Sequence, residues 1–329
     1  MPLQLHKKEL PLWRSILSKN FVKLDPLLQF LEFSPDQQQY FLQRSHFRLN
    51  LPLRLAQKIE KGNLEDPLLK QFVPMVQELE THPDFVLDPL GEKACRKGPK
   101  LLHKYVGRVL IVCTSACAMH CRYCFRQQFD YEIQERTWAE EHQFITQDPS
   151  IQEVILSGGD PLSLGDEALE RLLIPITHCS HVKRIRFHTR FPIGIPERID
   201  ESFLQLIEKI PQQIWFVLHI NHPKELDLEI LNRLKQLQRR GCVLLTQSVL
   251  LKEINDDIKT LKELYELLTN HGIMPYYLHQ LDRIQGAAHF DVEEDQGRWL
   301  IQELTKVLPG YAVPKYVREI PGAPSKTPL

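Results

Sequence analysis

The stretch RVLIVCTSACAMHCRYC, residues 108–124, decides the reading of this chain. It opens on a β-branched, apolar run of the kind that forms a buried strand. Directly after that run, one short loop carries Cys117, Cys121 and Cys124. Thiolates this close together can wrap a single inorganic cluster, and a [4Fe–4S] cluster with only three cysteine ligands keeps one iron open for chemistry. The alternative is a zinc site, which would need a fourth ligand such as His120 or His103 and more often uses C-x2-C pairs. The other cysteines, Cys95, Cys113, Cys179 and Cys242, are scattered and read as small buried hydrophobes.

Outward from this loop, β-branched or aromatic runs recur: EVILSGGD from Glu153, RIRFHTR from Arg184, IWFVLHI from Ile214, CVLLTQSVL from Cys242 and MPYYLHQLD from Met274. Their starts are spaced by roughly 30 residues, the length of a βα unit. Amphipathic helical stretches lie between them: DEALERLLIPI, LEILNRLKQLQRRG and DDIKTLKELYELLTNHG, the last two ending in glycine. Such units build either an open doubly wound sheet or a barrel. The polar clusters GGD, HTR, HINH and TQS, and finally Asp282, sit at predicted strand ends, where a (β/α) barrel gathers its catalytic loops. The expectation is an α/β chain with a partial (β/α) TIM-type barrel over residues 91–329. Residues 1–90 carry helical periodicity instead, in LDPLLQFLEF, a helix start at Ser34-Pro35-Asp36, and PLRLAQKIEKGN ending near Gly62. They predict an N-terminal helical region, joined through the Pro- and Gly-rich link HPDFVLDPLGEKACRKGPK.

The chain has 329 residues, of which 43% are hydrophobic, enough for a sizeable core. A net charge of −1 offers no broad attraction to nucleic acid or to an anionic membrane. No segment approaches the roughly 20 apolar residues of a membrane span. Seven cysteines, an odd number with three of them crowded together, fit metal ligation in a reducing compartment better than a disulfide framework. These features predict a cytoplasmic protein with small-molecule partners.

The C-x3-C-x2-C loop after a first strand resembles the signature of the radical S-adenosylmethionine (SAM) superfamily. ILSGGDPL, one βα unit later, resembles the element of that superfamily that contacts the SAM amino group, with Asp160 where a glutamate is usual. The resemblance then narrows. The stretches LLHKYVGRVL, CRYCFR, LSGGDPL, HINHPKEL, TQSVLL, MPYYLHQLDRIQGAAHF and VPKYVREIPGAPSKTPL, from about Leu51 to Leu329, look like the lysine 2,3-aminomutase family. The nearest likeness is to its shorter bacterial branch, which makes (R)-β-lysine for attachment to elongation factor P.

The resemblance implies a [4Fe–4S] cluster on Cys117, Cys121 and Cys124, SAM, and pyridoxal 5′-phosphate (PLP) held as a Schiff base by Lys326. On composition alone, a lysine so close to the chain end is a solvated tail residue. Ser157, Gly158, Gly159 and Asp160 match SAM-binding positions, and His219 and Gln247 match positions lining the SAM and PLP pocket. Lys104, Tyr105 and Arg108 match residues around the PLP phosphate. Arg126 matches the arginine for the substrate carboxylate, where a planar guanidinium engages both oxygens. Asp282 and Glu319 match two acids facing the ε-ammonium of L-lysine, Glu319 being one methylene longer than the aspartate expected in enzymes acting on free lysine. The family also implies an electron donor such as flavodoxin or ferredoxin and a functional link to an elongation factor P lysyl ligase. A homo-oligomer is compatible with it. Two other readings stand beside this one: a catabolic aminomutase acting on bulk lysine, whose chain would extend past the PLP lysine, and a non-catalytic zinc-binding interaction protein.

Overall fold

The computed structural model describes residues 10–131 and 137–329. One sheet of ten strands organises the chain, with its strands in sequence order. The strands are β1 (Arg96–Gly98), β2 (Leu101–Tyr105), β3 (Arg108–Thr114), β4 (Glu153–Gly158), β5 (Arg184–Thr189), β6 (Gln213–His219), β7 (Val243–Val249), β8 (Met274–His279), β9 (Lys315–Arg318) and β10 (Thr327–Pro328). From β3 to β9 every neighbouring pair is parallel. Strands β1 and β2 add antiparallel at one edge and β10 at the other.

Helices are short at first: α1 (Leu12–Leu17), α2 (Leu24–Phe30), α3 (Leu53–Lys58) and α4 (Pro67–Phe72). They then alternate with the strands as α5 (Ala139–Gln147), α6 (Asp166–Thr177), α7 (Phe191–Gly194), α8 (Glu201–Glu208), α9 (Leu228–Arg239), α10 (Ile258–Asn270) and α11 (Glu294–Val307). Asp200, Asp227 and Asp257 cap α8, α9 and α10 by accepting the amides of Phe203, Ile230 and Thr260. The expected helix at Ser34 is a 3-10 turn, Pro35–Tyr40, closed by the mutual Ser34 and Gln37 capping bonds, and α3 stops at Lys58 rather than near Gly62. The first nine residues of the expected N-terminal region lie outside those described.

Period-2 alternation sorts the parallel strands. On β5, Ile185 and Phe187 are buried outward against helices, whereas Arg184, Arg186 and His188 line a cavity on the other face. Phe187 and Phe216 stack at 4.8 Å in the apolar layer between sheet and helices. The same contiguous core takes in Trp13, Leu27, Leu55 and Phe72, so the N-terminal helices pack onto the strand-and-helix body without a break. Burial of this many large side chains, at about 1.5–3 kcal/mol each, supplies the main favourable folding term. Among the described residues no helix is long and apolar enough to cross a membrane.

Candidate active site

The inner faces of the strands and the loops after them enclose a cavity of about 780 Å³. It runs from Arg108, Glu153 and Arg184 at strand starts to the cysteine loop and Asp282 beyond strand ends. Every site residue that the family resemblance implies lines it.

The cysteine loop is folded by two turns, Cys124 N–H to the Cys121 carbonyl at 3.0 Å and Gln127 N–H to the Cys124 carbonyl at 3.1 Å. Burial pushes the Cys117 thiol well above its ordinary range and Cys124 up to about 12, and Cys121 adds to both shifts. Ionising such buried thiols side by side is eased by a cation among them, which is what the irons of a cluster supply. Arg190 Nη1 donates to Cys121 Sγ at 2.9 Å. Of the fourth ligands considered for zinc, His103 is absent from the cavity lining and packs edge-on against Phe144. His120 does line the cavity, with its Nδ1 at 2.8 Å from the Arg48 carbonyl. Among the described residues, no three His, Cys, Asp or Glu side chains are arranged around a single ion.

The second element is a close backbone crossing. Gly159 N–H donates to the Thr114 carbonyl at 2.6 Å and Asp160 N–H to the Ala116 carbonyl at 2.8 Å. A Cβ at Gly159 would lie 2.3 Å from the Ala116 oxygen, so only glycine fits there. The Asp160 carboxylate accepts from the amides of Leu162, Arg190 and Phe191 and from the Thr189 hydroxyl, which ties the loops after β4 and β5 together. Burial still leaves its pKa raised, because these bonds only partly offset desolvation. His219 Nε2 lies 2.9 Å from the Tyr123 hydroxyl, and burial, with Arg190 adding to it, holds the imidazole neutral.

At the other end, Glu319 is shared. Its Oε1 accepts from Lys104 Nζ at 2.5 Å and from the Tyr105 hydroxyl at 2.9 Å, while Oε2 accepts from Lys326 Nζ. Burial acts against its ionisation, but the Lys326 and Lys104 ammonium groups outweigh it and hold the carboxyl well below the usual carboxylate range. Arg108 stacks over the Tyr105 ring at 4.8 Å. Asp282, partly buried at the cavity wall, is pushed up to about 7 by desolvation, with Lys326 opposing and Glu319 reinforcing the shift.

Arg126 is engaged from a direction the sequence did not indicate. Glu92, in the link before β1, takes Nε at 2.8 Å and Nη2 at 2.6 Å, while Nη1 donates to Ser157 Oγ at 3.0 Å. Sequence reasoning also missed a buried network behind the cysteines. There Arg190 Nη2 donates to Gln71 Oε1 at 2.8 Å and to Glu225 Oε2 at 2.7 Å, and Asn221 donates to the Tyr123 hydroxyl at 2.6 Å. The HTR and HINHPKEL stretches contained the signal, as polar residues at strand ends.

A cavity with three thiols at one end, a lysine at the other and acids beside that lysine is equipped to hold a metal cluster and a carbonyl cofactor around a cationic substrate. Comparison with known proteins agrees with that chemistry. Residues 106–192 match a family described as a 4Fe-4S single cluster domain. The L-lysine 2,3-aminomutase of Escherichia coli K12 is 41% identical over 322 residues, covering 96% of this chain and 94% of that protein. The chain belongs to the L-lysine 2,3-aminomutase family.

The Haemophilus influenzae member is 40% identical over 96% of this chain and 94% of its own length. The Clostridium subterminale member is 30% identical over 96% of this chain and 77% of its own length. Lysine 2,3-aminomutases are isomerases that work with a [4Fe–4S] cluster, SAM and PLP. Family membership therefore sets aside the non-catalytic zinc-binding reading.

Proposed function

We propose that this chain converts L-α-lysine to (R)-β-lysine by moving the amino group from C2 to C3, and that the product serves the modification of elongation factor P. The observation that carries the reading is the meeting of Cys117, Cys121, Cys124, Lys326, Asp282 and Glu319 in one cavity. The QGAAHF and PSKTP stretches support the elongation factor P branch over a catabolic one. The seven parallel strands are read as a partial (β/α) TIM-type barrel of the radical SAM superfamily, spanning residues 91–329, with residues 1–90 as a helical region against it.

When bound, the cluster with SAM supplies a hydrogen-abstracting radical and PLP supplies a carbonyl to carry the migrating nitrogen. The chain's residues bind and orient around them. Cys117, Cys121 and Cys124 hold the cluster. Ser157, Gly158, Gly159 and Asp160 line the SAM position, with His219 and Gln247 between SAM and PLP. Lys104, Tyr105 and Arg108 receive the PLP phosphate, and the Lys326 amine links to the cofactor. Arg126, held by Glu92, turns its remaining N–H groups to the substrate carboxylate, while Asp282 and Glu319 receive the ε-ammonium. Seven free thiols support a reducing, cytoplasmic setting, with flavodoxin or ferredoxin as electron donor and an elongation factor P lysyl ligase as functional neighbour.

The test is an anaerobic reaction with L-lysine, SAM, PLP and a reductant, followed by chiral separation and mass spectrometry. (R)-β-lysine is expected, and its transfer to elongation factor P when the ligase is added. No β-lysine in a preparation with full cluster content refutes the reading.

A further inference from the structure

The floor of the cavity carries donors that the roles above do not use. Arg186 on β5 and Trp215 on β6 are register partners in the parallel pair, and both line the cavity. Trp215 Nε1 is buried without a hydrogen-bond partner, and so is Arg186 Nε, although Arg186 Nη2 reaches Glu153 Oε2 at 3.0 Å. Two residues further along β5, the buried Nε2 of His188 has no partner either.

An indole N–H and a guanidinium Nε–H can only donate. Left unmet in a buried site, each is destabilising, so an oxygen ligand is needed there. Water is the ordinary filler. The local charge favours an anion instead: Arg108, Arg184 and Arg186 line this floor, and the carboxylate beside them is Glu153, itself paired with Arg186 and 3.9 Å from Arg184. Two inward donors on neighbouring strands, about 4.8 Å apart in backbone spacing, suit two oxygens of one tetrahedral anion. Lys104, Tyr105 and Arg108 line the same cavity from β2 and β3, and the Tyr277 hydroxyl lies within electrostatic reach of both Arg186 and Arg108.

We infer that Arg186 and Trp215 form an oxyanion subsite that grips the phosphate monoester of the pyridoxal cofactor from the side of β5 and β6. This rests on the cofactor reading above. The same donors would also suit an amino-acid carboxylate, so the experiment separates the two anions.

Cofactor-stripped full-length protein is titrated with PLP, pyridoxal, inorganic phosphate and L-lysine, following absorbance and indole emission. Borohydride reduction and peptide mapping then locate any linkage at Lys326. In Trp215→Phe and Arg186→Gln, PLP dissociation constants are expected to rise about tenfold, the effect of one lost charge-assisted bond, with pyridoxal binding unchanged. Inorganic phosphate should compete with PLP in the wild type and alter an indole emission that Trp215→Phe lacks, a readout that needs only the wild type to fold well. Equal losses for PLP and pyridoxal overturn the inference. So do unchanged PLP affinities, absence of phosphate competition, or a loss confined to L-lysine, which would assign the donors to the carboxylate. Wild-type protein that takes phosphate at Trp215 but forms no borohydride-reducible linkage at Lys326 sinks the cofactor reading and keeps the subsite.

Discussion

Lys326 and Glu319 lie opposite each other across the β9–β10 hairpin, with ammonium and carboxylate in direct contact. The antiparallel register that pairs Thr327 with Arg318 brings these two residues, one step further along, into apposition. Glu319 therefore belongs at once to the expected ammonium-binding pair and to the surroundings of the cofactor lysine.

Removing that carboxylate charge leaves Lys104 and Lys326 without their shared counter-ion in a largely buried setting. Glu319→Gln should destabilise the cofactor-free protein by about 3 kcal/mol, the lower end of the range for breaking a buried pair. The deficit should shrink once PLP is added, because a phosphate then pairs with Lys104. Denaturant unfolding with and without PLP measures both quantities. Equal deficits in the two states would contradict this.

How much of this was legible depends on the range of the interaction. The six strands from Arg108 to His279 were readable because each is a β-branched or aromatic run bounded by turn residues, and each begins within one residue of its expected start. Strands β1, β2, β9 and β10 were not, since they are short and owe their existence to edge pairing rather than to any local run. The same division holds in the site. The cysteine loop and Gly158-Gly159 are local patterns. Glu92 on Arg126 joins positions 34 residues apart, and the Arg190 network joins Gln71, Tyr123 and Glu225, so nothing in any one segment announces them.

Glu92 occupies the Nε and Nη2 edge of Arg126 in a buried, bidentate bridge. Glu92→Gln keeps the shape but weakens the grip, freeing the guanidinium to rotate. The expected result is a KM for L-lysine raised about tenfold with kcat changed far less, as for a residue that positions a ground-state contact. Steady-state kinetics at full cluster loading decide it, and a fall in kcat at unchanged KM would count against the assignment.

Gly159→Ala forces a Cβ onto the Ala116 oxygen at 2.3 Å, so the backbone preceding Cys117 must move. Iron and acid-labile sulfide content should drop by half or more, whereas borohydride trapping of PLP on Lys326 should persist, because that lysine is held by the β9–β10 pairing and its Glu319 contact rather than by the β4 loop. Parallel loss of both would point to global misfolding.

Asp282 gives a pH signature. Its folded-state pKa is raised to about 7 by burial, far above the roughly 3.9 of an unfolded aspartate. Folding therefore retains a proton that the unfolded chain releases between these values. The stability contribution is fully present below about pH 4 and is lost as pH climbs to about 7. Asp282→Asn abolishes that loss, so the cofactor-free variant should be more stable than wild type at pH 8 by a margin on the order of a few kcal/mol. Chemical denaturation at pH 5, 6, 7 and 8 reports the slope. Substrate binding follows the opposite sense: an ammonium placed beside Asp282 favours the carboxylate, so the KM for L-lysine should rise as pH falls below about 7 and the proton competes with the cation. Asp282→Asn should flatten that dependence, and a wild-type KM constant across this range would show that Asp282 does not meet the ε-ammonium.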